Sequence, residues 1–281
     1  MICQWQDFIR LVPHRLRKET EVLGKKDLQE FRLRIGQPVT LILKQNVICL
    51  NEAATLEDLK FVINTVSQYS PWAAATISRG YLTSAGGHRV GICGECIVQN
   101  AKVTGIRQPT SLCIRIARDF PGIAASATTA GSILVIGPPG SGKTTLLRDL
   151  IRQRSAAGKG SIAVVDERRE LYPSMENPDA FYPGLHTDVL AGCSKRDGIE
   201  MALRTLGPSC IAVDEITGED DASALLAAGW SGVDLLATAH AESYDDLRTR
   251  PVYQPLVSKK LFQTLLVMHR DQTWHTERIR L

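Results

Sequence analysis

The eight residues Gly137-Pro138-Pro139-Gly140-Ser141-Gly142-Lys143-Thr144 constrain the fold more than any other stretch of the chain. They follow the apolar run Ile133 to Ile136 and open a helix-forming run at Lys143. A glycine-rich loop between a buried strand and a helix gathers its backbone N–H groups at the helix N-terminus, where an anion is stabilised. Gly140 and Gly142 allow backbone conformations that a side chain would hinder. In such a loop Lys143 reaches the β and γ phosphates of a nucleotide and the Thr144 hydroxyl coordinates magnesium. The expected ligands are ATP and Mg2+.

The residues downstream read as alternating strands and helices: Ile162 to Val165 (strand), Gly198 to Leu206 (helix), Cys210 to Val213 and Leu235 to Thr238 (strands). Short apolar strands without polar alternation are buried on both faces, so the expected class is α/β with a mostly parallel sheet. The upstream residues read differently. Phe31 to Ile35 alternates apolar with basic residues, Gly36-Gln37-Pro38 turns, and Val39 to Leu43 continues as a second strand. Thr55 caps a helix that carries Leu56, Leu59, Ile63 and Val66 on one face, with Asp58 three residues after the cap. Short strands are expected around Gly86-Gly87, near Ile97-Val98, and at Leu112, Ile114 and Ile116. The small, uncharged residues 123–132 read as a linker, so the expected division is a smaller α+β domain over 1–122 and an α/β domain over 133–281.

Two strand ends supply carboxylates. Asp214 and Glu215 close the apolar strand from Cys210, the arrangement that sets acids beside a phosphate loop. Asp214 suits magnesium, and Glu215 suits the polarisation of an attacking water. Asp166 and Glu167 close the strand from Ile162 and face the same nucleotide if that strand is a neighbour. His240 ends a further buried strand, where a neutral imidazole can hydrogen-bond a γ-phosphate and report its loss. The candidate catalytic residues are Lys143, Asp166, Glu167, Glu215 and His240, and the candidate metal ligands Thr144 and Asp214.

Together these four motifs, in this order, resemble the secretion ATPase superfamily of type II and type IV secretion and pilus motors, and within it the family of stage III sporulation AA proteins. Phe31 to Gly36, Gly86 to Gly91, Ile114 to Arg118, Gly137 to Asp149, Val165 to Arg168 and Val213 to Ile216 carry the resemblance. It implies a RecA-like P-loop NTPase motor domain behind a smaller N-terminal domain, with Thr145 joining the nucleotide contacts. It also implies a homo-hexameric ring with ATP between subunits. The implied role is to energise the channel complex between mother cell and forespore from the mother-cell cytoplasm, recruited to the membrane through membrane-embedded partners. Secretion motors commonly have Gly before the second carboxylate where this chain has Asp214, so Glu215, Asp166 and Glu167 all stand as candidates for activating water. By resemblance, Arg89, Arg107, Arg115, Arg196 and Arg204 are candidates to reach a neighbouring subunit's phosphates.

The remaining features narrow the alternatives. No run approaches the roughly 18 to 20 apolar residues of a membrane span. Seven irregularly spaced cysteines fit reduced thiols rather than a disulfide framework, and Cys93-Gly94-Glu95-Cys96 lacks the second pair that a zinc site needs. A net charge of +3 does not argue for nucleic acid, and none is expected as a partner. Two other readings share the phosphate loop: a nucleic-acid-dependent RecA- or helicase-like ATPase, and a small-molecule kinase whose lid would be the stretch from Arg168 to Lys195.

Overall fold

In a computed structural model, residues 2–24, 27–67, 80–127, 130–173 and 181–279 are described. The chain divides into two compact units, with the division in the main chain between Asp119 and Phe120.

The first unit begins with α1 (Trp5–Leu11) and α2 (His14–Gly24). Six antiparallel strands follow: β1 (Leu28–Arg34), β2 (Pro38–Leu43), β3 (Val47–Ala53), β4 (Tyr81–Thr83), β5 (Arg89–Gln99) and β6 (Lys102–Arg115). They lie in the order β3-β2-β1-β6-β5-β4. The alternation that marks Phe31 to Ile35 as a strand is physical: Phe31 and Leu33 are fully buried, while Arg32 and Arg34 face out. Helix α3 (Leu56–Ser67) starts as its sequence dictates. The Thr55 hydroxyl accepts the Asp58 N–H at 3.2 Å, and the Asp58 carboxylate accepts the Thr55 N–H at 2.8 Å. Phe8, Phe31, Leu41, Leu59, Val62, Val90 and Ile114 share one core with these elements.

Gly86-Gly87 is not a strand. It is the turn between β4 and β5, closed by the Gly87 N–H on the Ser84 carbonyl at 2.8 Å. Gly87 has φ +80°, and a Cβ at Gly86 would stand 2.7 Å from the Asp7 Cβ. The glycines serve a tight turn pressed against α1, a demand that strand patterning does not reveal.

In the second unit the strands are β7 (Ile133–Ile136), β8 (Ile162–Asp166), β9 (Thr187–Ala191), β10 (Cys210–Val213), β11 (Asp234–Ala239), β12 (Thr264–Met268) and β13 (Trp274–Arg278). Their order is β13-β12-β7-β11-β10-β8-β9, parallel throughout except for the antiparallel edge strand β13. The helices are α4 (Lys143–Ala156), α5 (Lys195–Thr205), α6 (Glu219–Trp230), α7 (Tyr244–Thr249) and α8 (Gln254–Ser258). Leu134, Ile136, Val165, Ile211, Val213 and Ala237 pack with Ile199, Ala202, Leu225 and Leu256 of α5, α6 and α8. Helix α4, which buries Leu146, Leu147, Leu150 and Ile151, packs on β7 and β11. Both faces of the sheet are therefore covered, which is why its strands are apolar without alternation.

Residues 120–127, within the segment read as a linker and just before it, are turns of this second unit. The Asp149 carboxylate of α4 accepts the Gly122 and Ala124 N–H groups at 3.0 and 2.8 Å, and Ala124 is fully buried. Within the stretch from Arg168 to Lys195, Thr187–Ala191 form β9 of the sheet, and residues 174–180 lie outside the described residues.

Candidate nucleotide site

The parallel strands end on one edge of the sheet, where an open α/β sheet binds ligands. Gly137 follows β7, Asp166 ends β8, Asp214 follows β10, His240 follows β11 and Met268 ends β12. The loop after β7 needs its glycines: Gly137, Gly140 and Gly142 have φ of +155°, +76° and +97°. A Cβ at Gly137 would stand 2.7 Å from the Met268 carbonyl oxygen and 2.8 Å from Ser141 Oγ. Ser141 is buried, and among the described residues its Oγ has no hydrogen-bond partner. The concave, glycine-lined loop and this orphaned hydroxyl both fit a phosphate group.

Lys143 folds back over the loop. Its ammonium donates to the Gly137 and Pro138 carbonyls, both at 2.9 Å, and meets His240 Nδ1 at 3.0 Å. Burial pushes its pKa down, against the opposing pull of Asp214 and Glu215. With the ammonium donating to Nδ1, the imidazole carries its proton on Nε2, which faces Glu215 Oε1 at 3.2 Å. The other oxygen of Glu215 accepts from Arg168 Nη1 at 2.8 Å. A continuous polar chain thus runs Lys143–His240–Glu215–Arg168.

A second chain fixes Asp214. Thr144 donates to Asp214 Oδ2 at 2.8 Å and Thr238 donates to Oδ1 at 2.6 Å. Thr238 Oγ1 in turn accepts the Glu215 N–H at 2.7 Å, which holds that residue at φ +52°. Thr238 and Arg168 were not among the candidates from sequence. A threonine inside an otherwise apolar strand was the only signal for the first, and Arg168 lay unremarked within the acidic run. Thr144 and Asp214 form a hydroxyl–carboxylate pair with oxygen donors suited to a hard divalent cation.

The acidic end of β8 is arranged differently. Asp166 is buried, and its two oxygens accept the Glu170 and Tyr172 N–H groups at 2.9 and 2.8 Å. Burial raises its pKa, offset in part by those two N–H groups. Glu167 pairs with the buried Lys195 at 2.8 Å, and Lys195 also meets Asp221 at 3.3 Å. Arg148 of α4 donates to the Leu171 and Glu170 carbonyls at 2.6 and 2.9 Å. These bonds shape the loop after β8, from which Arg168 reaches Glu215. Among the candidate arginines, Arg196 and Arg204 of α5 pair with Asp220 and Glu200. In the first unit Arg89 stacks on Tyr81, Arg107 pairs with Glu95, and Arg115 lies 3.3 Å from Glu30. Pro139 and Thr145 lie in the phosphate loop and the first turn of α4.

The family model for sporulation stage III, protein AA matches residues 4–278. The stage III sporulation protein AA of Bacillus subtilis is 37% identical over 255 residues, which cover 87% of this chain and 83% of that protein. The chain belongs to the sporulation stage III protein AA family. Its fold is that of secretion ATPases with a RecA-like P-loop core. The X-ray structure of the Legionella pneumophila ATPase DotB matches with a TM-score of 0.57 at 18% identity, covering 94% of this chain and 78% of that one. The pilus retraction motor PilT, solved with bound ADP, matches with a TM-score of 0.59 at 16% identity, covering 89% and 76%. Among the described residues, no helix is long and apolar enough to cross a membrane.

Proposed function

We propose that this chain is an ATP-hydrolysing motor subunit that energises the mother-cell-to-forespore channel complex during endospore formation. The observation that carries the proposal is the joining of the phosphate loop, through Lys143 and His240, to the carboxylate of Glu215, with Thr144 and Asp214 paired beside them.

In this reading the loop N–H groups and Lys143 bind the β and γ phosphates, and ATP draws the ammonium away from His240 and the loop carbonyls. Glu215 takes a proton from the attacking water as its oxygen bonds to the γ phosphorus and the bond to the ADP oxygen breaks. When the γ-phosphate departs, the Lys143 ammonium returns to Nδ1 of His240, which thereby reports its loss to Glu215. A magnesium ion held by Thr144 and Asp214 would offset the negative charge of the β and γ phosphates. Asp166 and Glu167 act in the loop after β8, held by backbone N–H groups and by Lys195, and the water falls to Glu215 because it is the carboxylate that His240 links to Lys143 of the phosphate loop.

The subunits form a homo-hexameric ring in which an arginine from a neighbour completes the site, and the ring works at the cytoplasmic face of the mother-cell membrane on membrane-embedded partners. The family membership and the secretion-ATPase fold support this placement. The test is steady-state ATPase activity over a wide range of protein concentration, with the mass of the ATP-bound assembly recorded, with and without single- and double-stranded DNA. Specific activity that rises as an assembly near six subunits forms, indifferent to DNA, is the expected result. Strong DNA stimulation of a monomer or dimer would replace the motor with a nucleic-acid-dependent ATPase.

A further inference from the structure

We infer that Arg168 is a positioning residue of the hydrolytic step, holding the Glu215 carboxylate in the one orientation that can accept a proton from water; this rests on the reading of Glu215 as the base. Glu215 is otherwise poorly constrained. Its side chain is 29% exposed, it follows a strand end, and a glutamate has three side-chain torsions to fix. Arg168 removes that freedom, its Nη1 donating to Oε2 at 2.8 Å, while His240 Nε2 lies 3.2 Å from Oε1. A carboxylate has about four acceptor positions, so the Arg168 bond leaves others open for a water molecule. Losing the Arg168 bond lets the carboxylate turn, and a displacement of about 1 Å in a reacting group costs on the order of a hundredfold in rate.

The surroundings of Arg168 show that it is delivered there. Asp166 gathers the Glu170 and Tyr172 N–H groups, Arg148 binds the Glu170 and Leu171 carbonyls, and Lys195 holds Glu167. Arg168 sits between these anchors with its side chain half exposed on the carboxyl edge of the sheet. The acids of the β8 end, buried Asp166 and half-exposed Glu167, thus contribute to the site indirectly, by shaping the loop that presents an arginine to the base. Their role differs from the direct one that two acidic strand ends suggest from sequence.

The test is a double-mutant cycle on the full-length assembled protein, using Arg168→Ala, Arg168→Lys, Glu215→Gln and Arg168→Ala/Glu215→Gln. Single-turnover hydrolysis of ATP and binding of a fluorescent ATP analogue are both recorded. Arg168→Ala should lower the hydrolysis rate at least tenfold with analogue affinity within twofold of wild type, and Arg168→Lys should recover part of the rate. In the Glu215→Gln background, removing Arg168 should cost less than twofold, because its effect passes through a carboxylate that is gone. Equal losses in both backgrounds would overturn the inference in favour of a direct or a structural role, and a loss confined to analogue affinity would overturn it in favour of nucleotide binding. Wild-type hydrolysis by Glu215→Gln alone would overturn the reading of the base as well, which separates the two failures.

Discussion

At the residue scale, chemistry is concentrated in side chains that hold one another. Lys143 is bound by two carbonyls and an imidazole, and Glu215 by a guanidinium with the His240 ring 3.2 Å away. Lys143→Ala removes the charge that faces the phosphates and should abolish detectable binding of ATP, whereas Glu215→Gln should bind ATP normally and turn it over about 100-fold or more slowly. Equilibrium binding and steady-state turnover measured on both variants separate the two roles. A different residue shows what burial does to reactivity. Burial pushes the Cys210 thiol up to about 11, with Arg154 Nη1 at 3.0 Å offsetting part of the shift. Its thiolate fraction at pH 8 is then on the order of one in a thousand. Timed maleimide labelling of the folded protein should modify the exposed Cys49, Cys93 and Cys96 first and reach Cys210 only after denaturation.

At the element scale, helix α3 shows how far local sequence dictates local structure. Its capping box was legible because Thr55 and Asp58 stand at the required spacing before an apolar stripe. Thr55→Ala should cost about 1 kcal/mol, read as a lower urea midpoint for the first unit. Burial alone would raise the Asp58 carboxyl, but Arg15 and the Thr55 N–H and hydroxyl hold it below its ordinary value of 3.8. The unfolded chain therefore takes up that proton first. The Asp58 contribution is complete above pH 3.8 and is lost as the pH falls through the lower folded value, so the penalty of Thr55→Ala should shrink in acid. Strands β7, β8, β10 and β11 were legible as short apolar runs, and α4 as the run opened by the phosphate loop. Strand β9 was not, because Thr187-Asp188-Val189-Leu190-Ala191 is a partly exposed edge with neither alternation nor an apolar run. Gly86-Gly87 misled because glycines that serve a tight turn resemble any glycines beside a strand.

At the scale of the whole molecule, the two units have separate cores, one among α1 to α3 and the antiparallel sheet and one among the parallel sheet and α5 to α8. A ligand that binds one native unit raises the stability of that unit by mass action, about 4 kcal/mol at a thousandfold excess over its Kd. Calorimetry should resolve two transitions, of which a non-hydrolysable ATP analogue with magnesium raises one. A single transition raised as a whole would show the units to unfold cooperatively.

The sequence by itself determined the α/β core, the phosphate loop, the acids that follow β10 and the histidine that follows β11, because each is a local pattern with its own physical requirement. Strand order was beyond it. Only the tertiary structure set β11 between β7 and β10, which brings Thr238 onto Asp214 and His240 between Lys143 and Glu215. It also turned the second acidic strand end inward, where Asp166 organises a loop and Arg168 emerges beside the base. The reason is general: a motif fixes what a residue can do, whereas the partners that occupy its lone pairs and N–H groups come from distant parts of the chain.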